Sequence, residues 1–294
     1  SFVSNNLFVF LGVGLLAVFA SLMVTAPAKA APNGTADASI TGQGALYKEV
    51  RKPVNFGVTA TITPEIGATT LKPLMNAKLN LPSSLLFSAS SSDPTCTAIT
   101  PANTNFPPET AKSLCPKSIV GDGTAALYLA QNVAARIDDP VITVFNGGKD
   151  NAGNGVIKIH AYSAATNTGI LMTGALKDGV LNVAIPRLTA DSSVPTFNIN
   201  IPGTIGTDKS FASAKCTGSY TSSAVYTLGN RDAAGTVTNE ETISTVPSNQ
   251  ACTGYAGKPS LQMKNVVAPK KVKKGKKGTF KITVKNAGTA TAKN

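Results

Sequence analysis

Tryptophan is absent from this 294-residue chain, histidine occurs once, and aromatic residues make up only 6% of it. So few rings disfavour a carbohydrate platform, which needs exposed aromatic faces. A single histidine leaves one position, His160, for any imidazole acid–base chemistry, and no Gly-x-Ser-x-Gly elbow supplies a serine nucleophile. Cysteine occurs four times with no Cys-x-x-Cys spacing, which argues against a zinc site. Charged residues are scarce too, at 14%, and the only adjacent acid pairs are Asp138-Asp139 and Glu240-Glu241. Neighbours on an extended strand point to opposite faces, so neither pair makes a two-carboxylate glycosidase site by itself. Beyond Val24 no segment repeats apolar residues at helical spacing for more than two turns.

What is present begins with an almost uninterrupted apolar run, Leu7 to Val24, followed by Pro27 and by small residues at Ala28 and Ala30. This is the pattern of a secretory signal over residues 1–30, cleaved after Ala30. The competing reading is an uncleaved anchor, because eighteen apolar positions are near the lower limit of a spanning helix. No basic residue precedes the run, as a signal's n-region requires, so the reading expects further sequence before Ser1.

The body that follows, 31–257, alternates apolar and small polar residues. Val54, Phe56, Val58, Ala60 and Ile62 share one face of a half-buried strand. Similar segments lie at Ala77–Leu81, Thr124–Ala130, Val141–Phe145, Val156–Tyr162, Gly169–Leu176, Val180–Ile185, Thr196–Ile201, Ser219–Leu228, Thr236–Thr245 and Thr279–Lys285. Gly, Asn, Asp and Pro clusters separate them, and Asp178-Gly179 marks a tight hairpin. Short strands at this spacing without intervening helices predict an all-β fold, with an antiparallel sandwich-type body of one large or two small sandwiches. The cluster Asp150 to Gly155 offers oxygens to Ca²⁺ but lacks the acidic spacing of a dedicated loop, and reads as a hairpin tip.

Four cysteines allow three pairings. In an oxidising compartment the sequential one, Cys96 with Cys115 and Cys216 with Cys252, closes the shortest loops.

Charge is concentrated at one end. Eleven of the 27 basic residues and none of the 15 acids lie in 258–294, so this segment supplies +11 of the net +12. Lys270, Lys271, Lys273, Lys274, Lys276 and Lys277 form its core, reading as a Lys-rich linker over 258–278 that can also contact an anionic surface. The run has no interleaved aromatics to stack bases, which argues against nucleic acid.

After the lysines, Phe280, Ile282 and Val284 alternate with polar residues, and Asn286-Ala287-Gly288 makes a turn. Residues 266–294 resemble the opening of a bacterial immunoglobulin-like surface module of the cell-adhesion-related class. The resemblance implies that 279–294 holds the first strands of such a module, cut short. The body resembles a group of exported β-rich proteins of Gram-positive bacteria, through Cys115 with Ser118-Ile119-Val120-Gly121-Asp122-Gly123, through Phe145-Asn146-Gly147-Gly148, Ile159-His160-Ala161 and Phe197-Asn198-Ile199-Asn200-Ile201, and through Ala214-Lys215-Cys216-Thr217-Gly218 with Cys252. That likeness implies one β-rich unit from about Ala45 to Cys252 and brings no catalytic residue.

The expectation is therefore a non-catalytic exported protein of the cell envelope, serving surface display, adhesion or structural spacing. It needs no cofactor or metal, and its partners are anionic cell-wall polymers or other surface proteins, with membrane contact only through an uncleaved signal. The rival is a secreted hydrolase or glycan-binding module with its site in the long loops, such as Ser88 to Pro116. A concave pocket with converging carboxylates would favour the rival, and a flat Thr- and Ser-covered surface would favour adhesion.

Overall fold

The structure, a computed structural model, describes residues 31–42, 46–48, 50–87, 94–204, 210–232, 234–252, 254–255, 259–288 and 292. Residues 1–30, where the sequence pattern predicts a signal, lie outside them. In chain order the strands are β1 (Asn33–Gly42), β2 (Leu46–Tyr47), β3 (Lys52–Thr63), β4 (Leu74–Asn80), β5 (Leu86–Phe87), β6 (Ile119–Tyr128), β7 (Arg136–Ile137), β8 (Val141–Lys149), β9 (Gly155–Ser163) and β10 (Thr168–Lys177). There follow β11 (Val180–Ala184), β12 (Ser193–Ile201), β13 (Ala212–Ala214), β14 (Ser219–Arg231), β15 (Val237–Ser244), β16 (Ser248–Ala251), β17 (Gly254–Tyr255), β18 (Leu261–Val267) and β19 (Lys281–Asn286). One helix, α1 (Pro108–Leu114), precedes β6.

The fold is all-β, as the alternation predicts. Fifteen strands join one large antiparallel sheet in the order β15-β14-β4-β11-β10-β9-β8-β6-β12-β3-β13-β5, with β1 on β3, β16 on β14 and β7 on β6. Strand β1, carried on β3, lies against β14, β15 and β16 from the other part of the sheet. The contact runs through side chains: the Gln250 amide accepts from Ile40 N at 2.8 Å and donates to Ile40 O at 2.9 Å, standing in for a strand backbone. Tyr226 Oη donates to Thr35 O at 2.8 Å across the same seam.

Alternation decides which residues fill the interior. Ala36, Ile40, Val54, Phe56, Val58, Ala60, Ile62, Ile199, Ile201, Ala224, Tyr226 and Leu228 all point inward from strands paired in register, in one core with Phe87 and Phe211. Asp178 (φ 50°) and Gly179 (φ 81°) turn β10 into β11 with Lys177 opposite Val180, as the Asp-Gly pair requires of a two-residue hairpin.

Two corrections concern the boundaries. The β-rich unit begins at Asn33 rather than near Ala45, because β1 pairs with β3 over its whole length, Asn33 to Gly42. The stretch 258–278 is not all linker: Leu261–Val267 forms β18, antiparallel to β19 in a separate two-stranded sheet, and the six lysines sit in the loop joining the two. Every residue of β18 and β19 is exposed.

Both disulfides join the sequential pairs, Cys96–Cys115 and Cys216–Cys252. Together they fit an oxidising, extracytoplasmic environment.

Candidate functional site

Of the long loop Ser88 to Pro116, named as the place for a hydrolase site, 88–93 lie outside the described residues, and 94–116 with the two residues that follow form a cap. It lies on the outer face of β8, β9 and β10, where Cys96, Ile99, Ala111, Cys115 and Phe145 make a small second core with Phe106, Ile119 and Leu171 at its edge. Contact is close enough that a Cβ at Gly169 would stand 2.0 Å from Thr104 O. Lys158 reaches out of β9 and donates to Cys96 O at 2.7 Å and Ile99 O at 3.3 Å, tying the cap down.

His160 lies beneath this cap, 0% exposed. Its Nε2 stands 2.8 Å from Thr104 O, and because a carbonyl only accepts, that nitrogen carries the proton. Phe106 stacks on the ring at a centroid distance of 5.0 Å. The other nitrogen, Nδ1, is buried without a hydrogen-bond partner, as is Oγ1 of its cross-strand neighbour Thr143. Burial therefore pushes the imidazole pKa down, against a smaller opposing effect of the Thr104 carbonyl. His160 is a neutral structural donor, sealed from any substrate approaching through solvent.

The carboxylates are dispersed among structural tasks. Asp138 pairs with Arg136 at 2.7 Å, whereas its neighbour Asp139 accepts from Ser163 Oγ at 2.7 Å and Ala165 N at 2.6 Å. Glu241 pairs with Lys72 at 2.6 Å. Asp150 forms the hairpin tip between β8 and β9: its oxygens accept from Asn154 Nδ2, Asn154 N and Ala152 N, all at 2.8–2.9 Å. Those bonds, the Asn154 side chain foremost, hold its pKa below the usual carboxylate range. Among the described residues no group of three or more His, Cys, Asp or Glu is placed to hold a metal ion.

Two features remain that have the shape of a site. One is the outer face of β1, β3, β12 and β6. In register, Thr35, Thr61, Thr196 and the buried Ala126 form one cross-strand row, Asp37, Thr59, Asn198 and Thr124 the next, and Ser39, Gly57, Asn200 and Asp122 a third. Asn198 donates to Thr124 Oγ1 at 2.6 Å, so neighbouring side chains brace each other. The two acids of the face, Asp37 and Asp122, stand three strands apart, roughly 14 Å at the ordinary interstrand spacing. That exceeds the reach of a glycosidase pair.

The other feature is a cavity of about 100 Å³ between the layers, walled by β4, β6, β8, β9, β10, β11 and β12. Its lining is apolar except near one end, where Ser163, Thr166, Thr168, Thr189 and Ser192 gather. Periodicity places these apolar side chains on the inner face, but an unfilled interior leaves no trace in a sequence pattern.

Comparison with family models, with curated proteins and with solved structures finds no match to this chain.

Proposed function

We propose that this chain is a non-catalytic exported protein of the cell envelope, acting in surface display, adhesion or structural spacing. The observation that carries the reading is the four-stranded outer face of Thr, Ser and Asn rows, with its two acids too far apart to cooperate. Short hydroxyl and amide side chains on a braced sheet lose little conformational freedom on contact and offer many donors and acceptors, which suits broad, shallow adhesion. The structural use of His160 supports the same reading, because the one residue able to serve as a neutral-pH base is committed to holding a loop. Six exposed lysines in the β18–β19 loop add an electrostatic contact for anionic cell-wall polymers.

Export and display are tested together by expressing the full chain in a Gram-positive host. A membrane-impermeant biotin reagent is expected to label it on intact cells, and digestion without reduction is expected to release Cys96 linked to Cys115 and Cys216 linked to Cys252. Four alkylatable thiols in cell-retained protein would overturn the assignment. So would ester or glycoside turnover that disappears in folded His160→Gln.

A further inference from the structure

We propose that the cavity between the layers is a binding site for the single alkyl chain of an uncharged amphiphile. The sheet is tightly filled at the end where Phe87 stacks on Phe211 and meets Phe56 edge-on, with ring centroids 5.3 and 5.8 Å apart. At the other end the filling stops. Leu127, Ile170, Met172, Leu188 and Phe197 line the cavity and keep partial accessibility, whereas the inward residues of β3, from Val54 to Ile62, are buried. Apolar surface left facing an unfilled, carbon-lined space is a standing attraction for a hydrophobic guest.

Size and polarity select the guest. A cavity of roughly 150 Å³ takes a benzene ring, so 100 Å³ suits a flexible chain better than a ring. The long thioether of Met172 is soft enough to yield to a longer chain. No Lys, Arg, Asp, Glu or His lines the space, so a charged head drawn inside would meet no partner. Of the carboxylates near its polar end, Asp139 accepts from Ser163 and Ala165, and Asp191 accepts from Arg231 N through Oδ2 while its buried Oδ1, 3.9 Å from Arg187 Nε, has no hydrogen-bond partner; neither carboxylate lines the cavity. Hydroxyls gathered at that end fit a neutral head, such as an alcohol or an ester.

The polar end is also where the backbone is strained. Ala130 (φ 47°) and Gln131 (φ 66°) in one turn, and Ala190 (φ 52°) and Asp191 (φ 49°) in another, adopt left-handed conformations without being glycine. These turns are joined by Ser192 Oγ, which accepts from Ala130 N, and Thr168 shares a 2.6 Å hydrogen bond with Thr189 at the same end. Four strained residues beside one cavity mark a place where the chain has been held in an unfavourable shape, as at ligand clamps. In the proposed site the Thr168–Thr189 bond opens to admit the chain and its hydroxyls then meet the head.

The test uses the full oxidised chain and 1-alkanols from butanol to decanol, followed by calorimetry and by methyl NMR of the isoleucine and methionine side chains. One-to-one saturable binding is expected, tightening about threefold to fourfold per methylene until the cavity is full. Shifts are expected at Ile159, Ile170 and Met172 and not at Met263, which stands on the exposed β18. Octanoate and octylammonium are expected to bind at least tenfold more weakly than octanol. Ala161→Leu, which fills the cavity from β9, is expected to lose at least tenfold in affinity while melting no lower than the parent; Ala125→Leu serves should the first fail to fold. Absence of saturable binding, equal binding of octanoate, or shifts confined to β18 and β19 would each overturn the proposal.

Discussion

At the residue scale, His160 and Thr143 are the most exacting positions. They sit opposite each other on β9 and β8 under the cap, each with a buried polar atom that has no partner. An unsatisfied buried hydroxyl costs about 1–3 kcal/mol, and valine has the same shape without it. Thr143→Val is thus expected to raise stability by about 1 kcal/mol, read as an upward shift of the urea midpoint at constant m-value. His160 carries the pH dependence. Its folded pKa is lowered by burial while the unfolded value stays near 6.5, so between the two the unfolded chain binds the extra proton. Stability is expected to fall as pH drops below about 6.5, by no more than about 1.4 kcal/mol per pH unit from this group. His160→Gln, whose amide can still donate to Thr104 O, is expected to flatten that slope between pH 6.5 and 5. A sequence carries the strand, the face and the solitude of His160; it does not carry the partner, because Thr104 is brought over the ring from 56 residues away.

At the element scale, the long strands are legible because strict alternation over eight or more residues has one cheap solution, a sheet with one face buried. Elements that escape notice share a reason. The inward residues of β1 are Ala36, Ala38 and Ile40, two of them too small to stand out. Helix α1 is seven residues long and buries Ala111 alone, so its period never shows; Pro108 at its start, Glu109 in its first turn and Lys112 in its last are its only signals. The cap that α1 belongs to is held by one disulfide, by Lys158 and by a small apolar cluster. Replacing Cys96 and Cys115 with alanine removes a staple between residues 19 apart, worth about 3 kcal/mol on the chain-entropy model. The expected consequence is local before it is global: amide exchange should rise across 94–118, and the imidazole of His160 should titrate closer to 6.5 as the Phe106 stack loosens. Unchanged titration would mean that Lys158 and the apolar cluster hold the cap without the disulfide.

At the scale of the whole molecule, charge and apolar surface are both segregated, and the two segregations coincide in the β18–β19 hairpin. Cross-strand pairs Met263–Val284 and Val266–Ile282 present apolar side chains that nothing in the described residues covers, with Leu261 at 64% and Phe280 at 60% exposure. An isolated two-stranded ribbon is at best marginal. Its loop, from Ala268 to Phe280, holds the six clustered lysines, all exposed, with Gly275 (φ 78°) at the turn. Substituting glutamine at Lys270, Lys271, Lys273, Lys274, Lys276 and Lys277 keeps the loop length and removes six charges. If the loop makes the electrostatic contact proposed for it, this variant should co-sediment less with isolated anionic cell walls at 20 mM salt. The difference should vanish near 1 M salt, where the Debye length shrinks to about 3 Å. Melting of the body should not move, because the fifteen-stranded sheet does not include the hairpin. Equal sedimentation of the two proteins at low salt would remove the lysines from the binding surface and leave adhesion to the Thr, Ser and Asn rows of β1, β3, β12 and β6.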